Sequence, residues 1–173
     1  MKKFEFTGET KTIQFKFKTV TLHRIRAVAE FGLIKVGDIG GWLEKEENLS
    51  QKGKSWVYDD AEVWGDAKVW GNAMVWGNAE ICGNAKVWGN AKVCGDAKVF
   101  SASHVMVIGA IGSRSDFTTF YRGKDKQIMV KCGCFNDTID KFIEKVHRTH
   151  ENNKHALVYQ AAAELAKLQI DLT

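Results

Sequence analysis

Two lysines and two tryptophans recur at one interval in this chain: Lys68 and Lys86 are eighteen residues apart, as are Trp70 and Trp88, and His104 falls eighteen after Lys86. Ammonium groups suit phosphate and indole planes suit a nucleobase or another flat ring, so the set fits a nucleotide better than an acyl chain. The alternative at the same residues is that the lysines solvate a surface while the indoles pack on a neighbouring subunit. His104 is the one histidine of its stretch, and a lone exposed imidazole is more often solvated surface than a general base. Further on, Cys132-Gly133-Cys134 with His147 and His150 has the residue types of a metal site. In a strand the two cysteines point to opposite faces unless Gly133 bends it, so buried thiols with surface histidines are the ordinary reading. No metal or other cofactor is expected. A P-loop, a G-x-S-x-G elbow and a paired-carboxylate signature are all absent, which leaves no catalytic constellation.

The stretch that must position these residues runs from Val57 to Ala110. It keeps a period of six without insertion: VYDDAE, VWGDAK, VWGNAM, VWGNAE, ICGNAK, VWGNAK, VCGDAK, VFSASH, VMVIGA. A fixed short period is the mark of a solenoid. Each unit opens on a β-branched residue, with a small residue two positions before it (Ala61 before Val63, Ala67 before Val69). A short strand of period two therefore turns one small and one branched side chain inward. Gly followed by Asn or Asp, as at Gly71-Asn72 and Gly77-Asn78, accepts positive φ at little cost and makes each corner.

Composition sets wider limits. At 173 residues and 45% hydrophobic, the chain suits one solenoid core with small flanking elements. No run of eighteen apolar residues occurs, and MKKFEFTGETKT carries charge without an apolar core, so neither a membrane span nor a secretory signal is expected. A cytoplasmic location follows, in which Cys82, Cys94, Cys132 and Cys134 stay reduced. A net charge of +4 permits an anionic partner without pointing to nucleic acid.

The hexapeptide pattern of aliphatic, x, Gly or Asp, Asn, small, x resembles that of left-handed β-helix proteins, which include acyltransferases and γ-class carbonic anhydrases. More closely, Gly37 to Ala67 and Cys132 to Phe142 look like phage- and prophage-encoded hexapeptide-repeat proteins. The resemblance implies a left-handed triangular prism with three hexapeptides per coil, and trimers with parallel axes. Residues eighteen apart then stack on one flat face. Lys68, Trp70, Lys86, Trp88 and His104 share a face and form the candidate ligand site. Trp56, Tyr58, Met74 and Trp76 share another, an apolar strip expected to be a homotrimer interface unless the chain's own strands or helices cover it, in which case the mass stays that of one chain. An acyltransferase of this type needs a histidine base, usually beside a loop extruded from the coils; here the repeat is uninterrupted and offers His104 alone. A zinc site of the carbonic anhydrase kind needs about three ligands.

Strands are expected at Lys3–Phe6, Thr12–Phe17 and Val20–Val28, with a turn at Gly8-Glu9-Thr10, in an N-terminal β cap over residues 1–35. The solenoid, with an imperfect first coil, spans 36–117. A ββαα module spans 118–173: a hairpin about Gly123-Lys124-Asp125, a helix capped by Asp137, and a second helix from about Lys154 to Ile170 whose stripe is Leu157, Ala161, Leu165 and Leu168. The expected fold is mainly β. The expected function is a non-catalytic, oligomeric binding protein, phage-encoded by resemblance, sequestering a host small molecule such as a nucleotide signal of antiviral defence. A hexapeptide-type acyltransferase and a structural assembly protein are the alternatives.

Overall fold

The computed structural model describes residues 2–173. A hairpin of β1 (Phe4–Phe15) and β2 (Lys18–Ala27) leads into β3 (Ile39–Leu43), the first solenoid strand. Eight two-residue strands follow at intervals of six: β4 (Trp56–Val57), β5 (Glu62–Val63), β6 (Lys68–Val69), β7 (Met74–Val75), β8 (Glu80–Ile81), β9 (Lys86–Val87), β10 (Lys92–Val93) and β11 (Lys98–Val99). Then come β12 (Val105–Ile111), β13 (Asp116–Arg122), β14 (Ile128–Cys132), β15 (Phe135–Thr138), α1 (Ile139–His150) and α2 (Lys154–Gln169). No helix among the described residues is long and apolar enough to cross a membrane.

The short strands pair in parallel one coil apart. Trp56 lies beside Met74 and Met74 beside Lys92, while Glu62, Glu80 and Lys98 form a second row. Lys68 lies beside Lys86 in a third. Each step is eighteen residues, so the chain is a parallel β-solenoid with three faces, built on β4-β7-β10, β3-β5-β8-β11 and β6-β9. The alanines from Ala61 to Ala97 and the branched residues from Val57 to Val99 that occupy the hexapeptide's two inward positions are at most 1% exposed. At the corners, Gly71 and Gly77 take φ of 73° and 74°, where a Cβ would crowd the backbone. Neighbouring coils are laced by side-chain amides, Asn72 Nδ2 donating to Asn90 Oδ1 and Asn78 Nδ2 to Asp96 Oδ1, each at 3.0 Å. The first coil is imperfect in that Trp42 pairs with Glu62, a step of twenty.

The solenoid ends earlier than the repeat suggests. Ser101-Ala102 stands where a Gly-Asn corner would, and Ser101 Oγ accepts the N–H of Ser103 to start a 3-10 turn over Ala102–His104. The chain then leaves the prism as β12, so Val105–Ala110 is not a coil but the first strand of an antiparallel meander, β12-β13-β14-β15. The C-terminal module therefore begins near Ser101 and holds four strands rather than two. Val105, Val107, Tyr121 and Met129 seal the end of the solenoid core. The peptide N–H of Lys92 donates to Thr119 Oγ1 at 3.0 Å, which satisfies one donor of that open edge.

Other expectations shift for local reasons. Gly8 sits in a register break within a continuous β1, and the turn comes later, at Lys16-Phe17. Thr138, not Asp137, caps α1, its Oγ1 accepting from Lys141 N. In α2 the expected stripe is turned outward: Leu157, Leu165 and Leu168 are 59, 49 and 87% exposed, while Ala156, Tyr159, Ala162, Ala163 and Ala166 are buried. The alanine side brings the helix close against the sheet, a packing in which small volume outweighs large apolar area.

Candidate functional site

The chain's own appendages cover the second face and the two ends of the first. On the first, Trp56 is fully buried with Phe4 and Phe31 edge-on to it at 6.3 and 5.4 Å between ring centres. At the far end of that face, Cys94 Sγ is 3.3 Å from Tyr121 Oη and 3.1 Å from Asn136 Oδ1. Of the strip expected to be a subunit interface, Trp56 lies under the N-terminal strand, while Tyr58, Met74 and Trp76 are left half-buried, with Lys131 Nζ 5.8 Å from the Trp76 ring. On the second face the β1–β2 hairpin lies across the coils. Val20 and Leu22 pack with Trp42, Trp64 and Cys82, and Phe15 reaches Trp64 and Phe100 at 4.6 and 6.0 Å.

The third face stays open, and it carries the candidate residues. β6 and β9 pair in register, which places Lys68 beside Lys86 at the roughly 4.8 Å spacing of neighbouring strands. Both lysines are exposed, and among the described residues neither has a carboxylate within 4.0 Å. Trp70 and Trp88 stack with ring centres 6.1 Å apart and planes 11° off parallel. That gap is too narrow for a third ring to enter, so a flat ligand has the indole edges or the outer face of Trp88, which is 58% exposed. Beyond Trp88 a cavity of about 240 Å³ opens where the chain has left the coil, walled by Lys86, Met106, Leu165 and Gln169. Leu165 and Gln169 belong to α2, a contribution that no spacing in the sequence signals.

His104 does not join this row. It is 6% exposed, and its Nδ1 accepts the N–H of Phe100 at 3.1 Å. Burial, reinforced by the nearby Arg122 guanidinium, lowers its pKa, so the ring is neutral at pH 7 and serves the turn. The 3-10 turn that ends the solenoid is what rotates it inward.

The thiols sort by environment. Burial pushes Cys82 up to about 12 and raises Cys94 as well, so both are inert. Gly133 takes φ of 57° in the β14–β15 turn, and Cys132 and Cys134 consequently line one small pocket, of about 180 Å³, together with Arg114, Lys145, His150 and Tyr159. His147 is instead beside Gln160, with Nε2 at 3.1 Å from its amide nitrogen. Among the described residues no three side chains of His, Cys, Asp or Glu converge as a metal would require.

Repeat and architecture together define a β-helix repeat protein, a parallel solenoid carrying an N-terminal hairpin and a C-terminal sheet-and-helix module. No family model matches the chain. Over 67 residues, 36% of its length, it is 31% identical to YdcK of Escherichia coli (strain K12), an uncharacterized acetyltransferase. The matched part is 21% of that protein, so the chain spans about a fifth of the relative's length.

Proposed function

We propose that this chain is a binding protein whose third face takes an anionic small molecule bearing a flat ring, with a nucleotide as the chemistry that fits. The observation that carries the reading is the coincidence, on a face that no appendage crosses, of a stacked indole pair and two lysines that have no carboxylate partner among the described residues. Stacked lysines repel each other, and a phosphate between them relieves that repulsion; base-on-indole stacking adds sequence-tolerant affinity. The resemblance to phage-encoded repeat proteins extends the proposal to sequestration of a host nucleotide signal.

Calorimetry tests it. ATP is expected to bind at least tenfold more tightly than either adenosine or tripolyphosphate, because each of those keeps only half of the recognition. Lys68→Ala with Lys86→Ala should abolish the heat of ATP binding and leave the melting temperature unchanged. Absence of saturable binding by any of the three probes up to millimolar concentration refutes the reading.

A second reading, acyl transfer, is favoured by the likeness to YdcK. It meets a chemical obstacle in the solenoid, whose one histidine is buried with Nδ1 already accepting a peptide N–H. Release of free coenzyme A from acetyl-CoA, read with a thiol reagent and lost in His104→Ala, would establish the enzyme and displace the binding reading.

A further inference from the structure

The tip of the β1–β2 hairpin has one feature that a simple connection does not need. Phe15 and Lys18 close the ladder, so Lys16-Phe17 is a two-residue turn. Lys16 takes φ of 53°, a left-handed conformation that glycine or asparagine would adopt with less strain. Phe17 projects wholly into solvent, at 103% exposure, although the turn requires no aromatic residue. The left-handed φ is the turn's own requirement; the exposed ring is not, and it directs attention to the surface beneath the tip.

Beneath the tip lies a cavity of about 720 Å³, three times the space above Trp88. Its volume falls within the roughly 300–1,000 Å³ typical of small-molecule sites. Phe15, Val20, Trp64, Cys82 and Phe100 supply apolar walls, while Lys16 and Lys18 stand at the rim. Two acidic residues also border it, one held by a peptide N–H and the other paired with a lysine. Glu44 Oε2 accepts the N–H of Gly65 at 2.6 Å, and Asp66 pairs with Lys45 at 3.3 Å. Among the described residues neither Lys16 nor Lys18 has a carboxylate within 4.0 Å. The Glu44 charge is not cancelled by a neutral N–H, but two lysines against this one carboxylate leave the net charge at the mouth positive, and the walls are mainly apolar.

We infer that this cavity binds a single-chain amphiphilic anion, its hydrocarbon chain along Trp64 and Phe100 and its carboxylate or comparable head group at Lys16 and Lys18. Phe17 folds over the chain once it is in place, which accounts for an aromatic residue held ready at the tip. Buried Cys82 and Val20 set the depth. The site is separate from the Lys68–Trp88 face, on another side of the prism, and the two can be occupied independently.

The test uses octanoate, decanoate and decanol with the full chain, followed by calorimetry and tryptophan fluorescence below any micelle-forming concentration. Each methylene taken from water is worth roughly fourfold in affinity, so decanoate should bind about tenfold or more tightly than octanoate. Decanol, lacking the charge, should bind at least tenfold more weakly than decanoate. Lys16→Glu with Lys18→Glu should weaken decanoate at least tenfold at an unchanged melting temperature, and Phe17→Ala should weaken it severalfold. No saturable binding, or decanoate binding indifferent to the double charge reversal, overturns the inference. Sedimentation with phosphatidylglycerol vesicles that depends on Phe17, without binding of monomeric decanoate, also overturns it and assigns the tip to a lipid surface.

Discussion

Lys3 offers a measurement in which the direction and size of the effect both follow from position. Its side chain is 4% exposed, Nζ donates to the Ser55 carbonyl at 2.7 Å and to Ser55 Oγ at 3.3 Å, and the Phe31 ring lies 4.8 Å away. Among the described residues no carboxylate offsets the charge, and burial lowers its pKa from 10.5 to about 8. Between those two values the unfolded chain holds a proton that the folded chain has released, so stability rises with pH across the window. At 1.36 kcal/mol for each pH unit, the gap of about 2.5 units corresponds to about 3 kcal/mol of stability missing at neutral pH. Of this, about 2–3 kcal/mol should return between pH 7 and pH 10. Lys3→Met keeps an unbranched chain and removes the titration; it also leaves the Ser55 acceptors without their donor, an offset of roughly 1–3 kcal/mol that does not depend on pH. Urea unfolding of both proteins at pH 7, 8, 9 and 10 isolates the pH-dependent part, since every other titrating group cancels in the difference. The wild type should gain on the variant by about 2–3 kcal/mol. Stabilities that stay parallel to within about 0.5 kcal/mol would show that the ammonium is not desolvated as its surroundings indicate.

Two further outcomes test the stacking and the assembly. A Cβ at Gly77 would meet Gly95 N at 3.0 Å, whereas one at Gly95 would meet nothing within 4 Å, and both residues have positive φ. Gly95→Ala should therefore cost about 1–2 kcal/mol of backbone strain and Gly77→Ala about 1 kcal/mol more, read by thermal unfolding; equal losses would mean the coils are not stacked in this register. Because Trp56 and Cys94 are covered within the chain, light scattering at micromolar concentration should give the mass of one chain, 19.4 kDa. A trimer mass would return Tyr58, Met74 and Trp76 to the role of an interface.

Periodicity made the solenoid legible, because a strict repeat of six forces the same two positions inward in every unit, and burial of Ala61 through Val99 follows that rule. Stacking of Trp70 on Trp88 and of Lys68 on Lys86 follows from the same arithmetic once a coil is eighteen residues. What escaped was decided by long-range contacts. Whether Trp56 faces solvent or Phe4 depends on where a hairpin more than forty residues earlier comes to rest. The end of the solenoid was written locally, in the loss of Gly-Asn at Ser101-Ala102, but the hydrophobic period runs on through Val105 and masks it. In α2 the choice between a leucine side and an alanine side turned on closeness of approach, a preference that hydrophobicity alone reverses. The hairpin-tip cavity had only the alternation Phe15-Lys16-Phe17-Lys18 as a signal, and that alternation equally describes an ordinary strand.

The hairpin that crosses the second face also bears on how the molecule comes apart. A bare stack of coils behaves as a one-dimensional array, each unit touching only its neighbours, so the end units loosen first and opening spreads inward. Here β1 begins against Trp56 in an early coil, holds Glu62 through Lys11 at 2.8 Å, and ends against Phe100 in the last. One segment thus grips the stack from end to end. Freeing the terminal coil strips Phe15 from Phe100 and exposes part of the cluster shared by Trp64 and Cys82, which penalises partial opening. Such a brace converts a graded, unit-by-unit melting into a single concerted transition, and it makes the integrity of the last coil depend on the first residues of the chain.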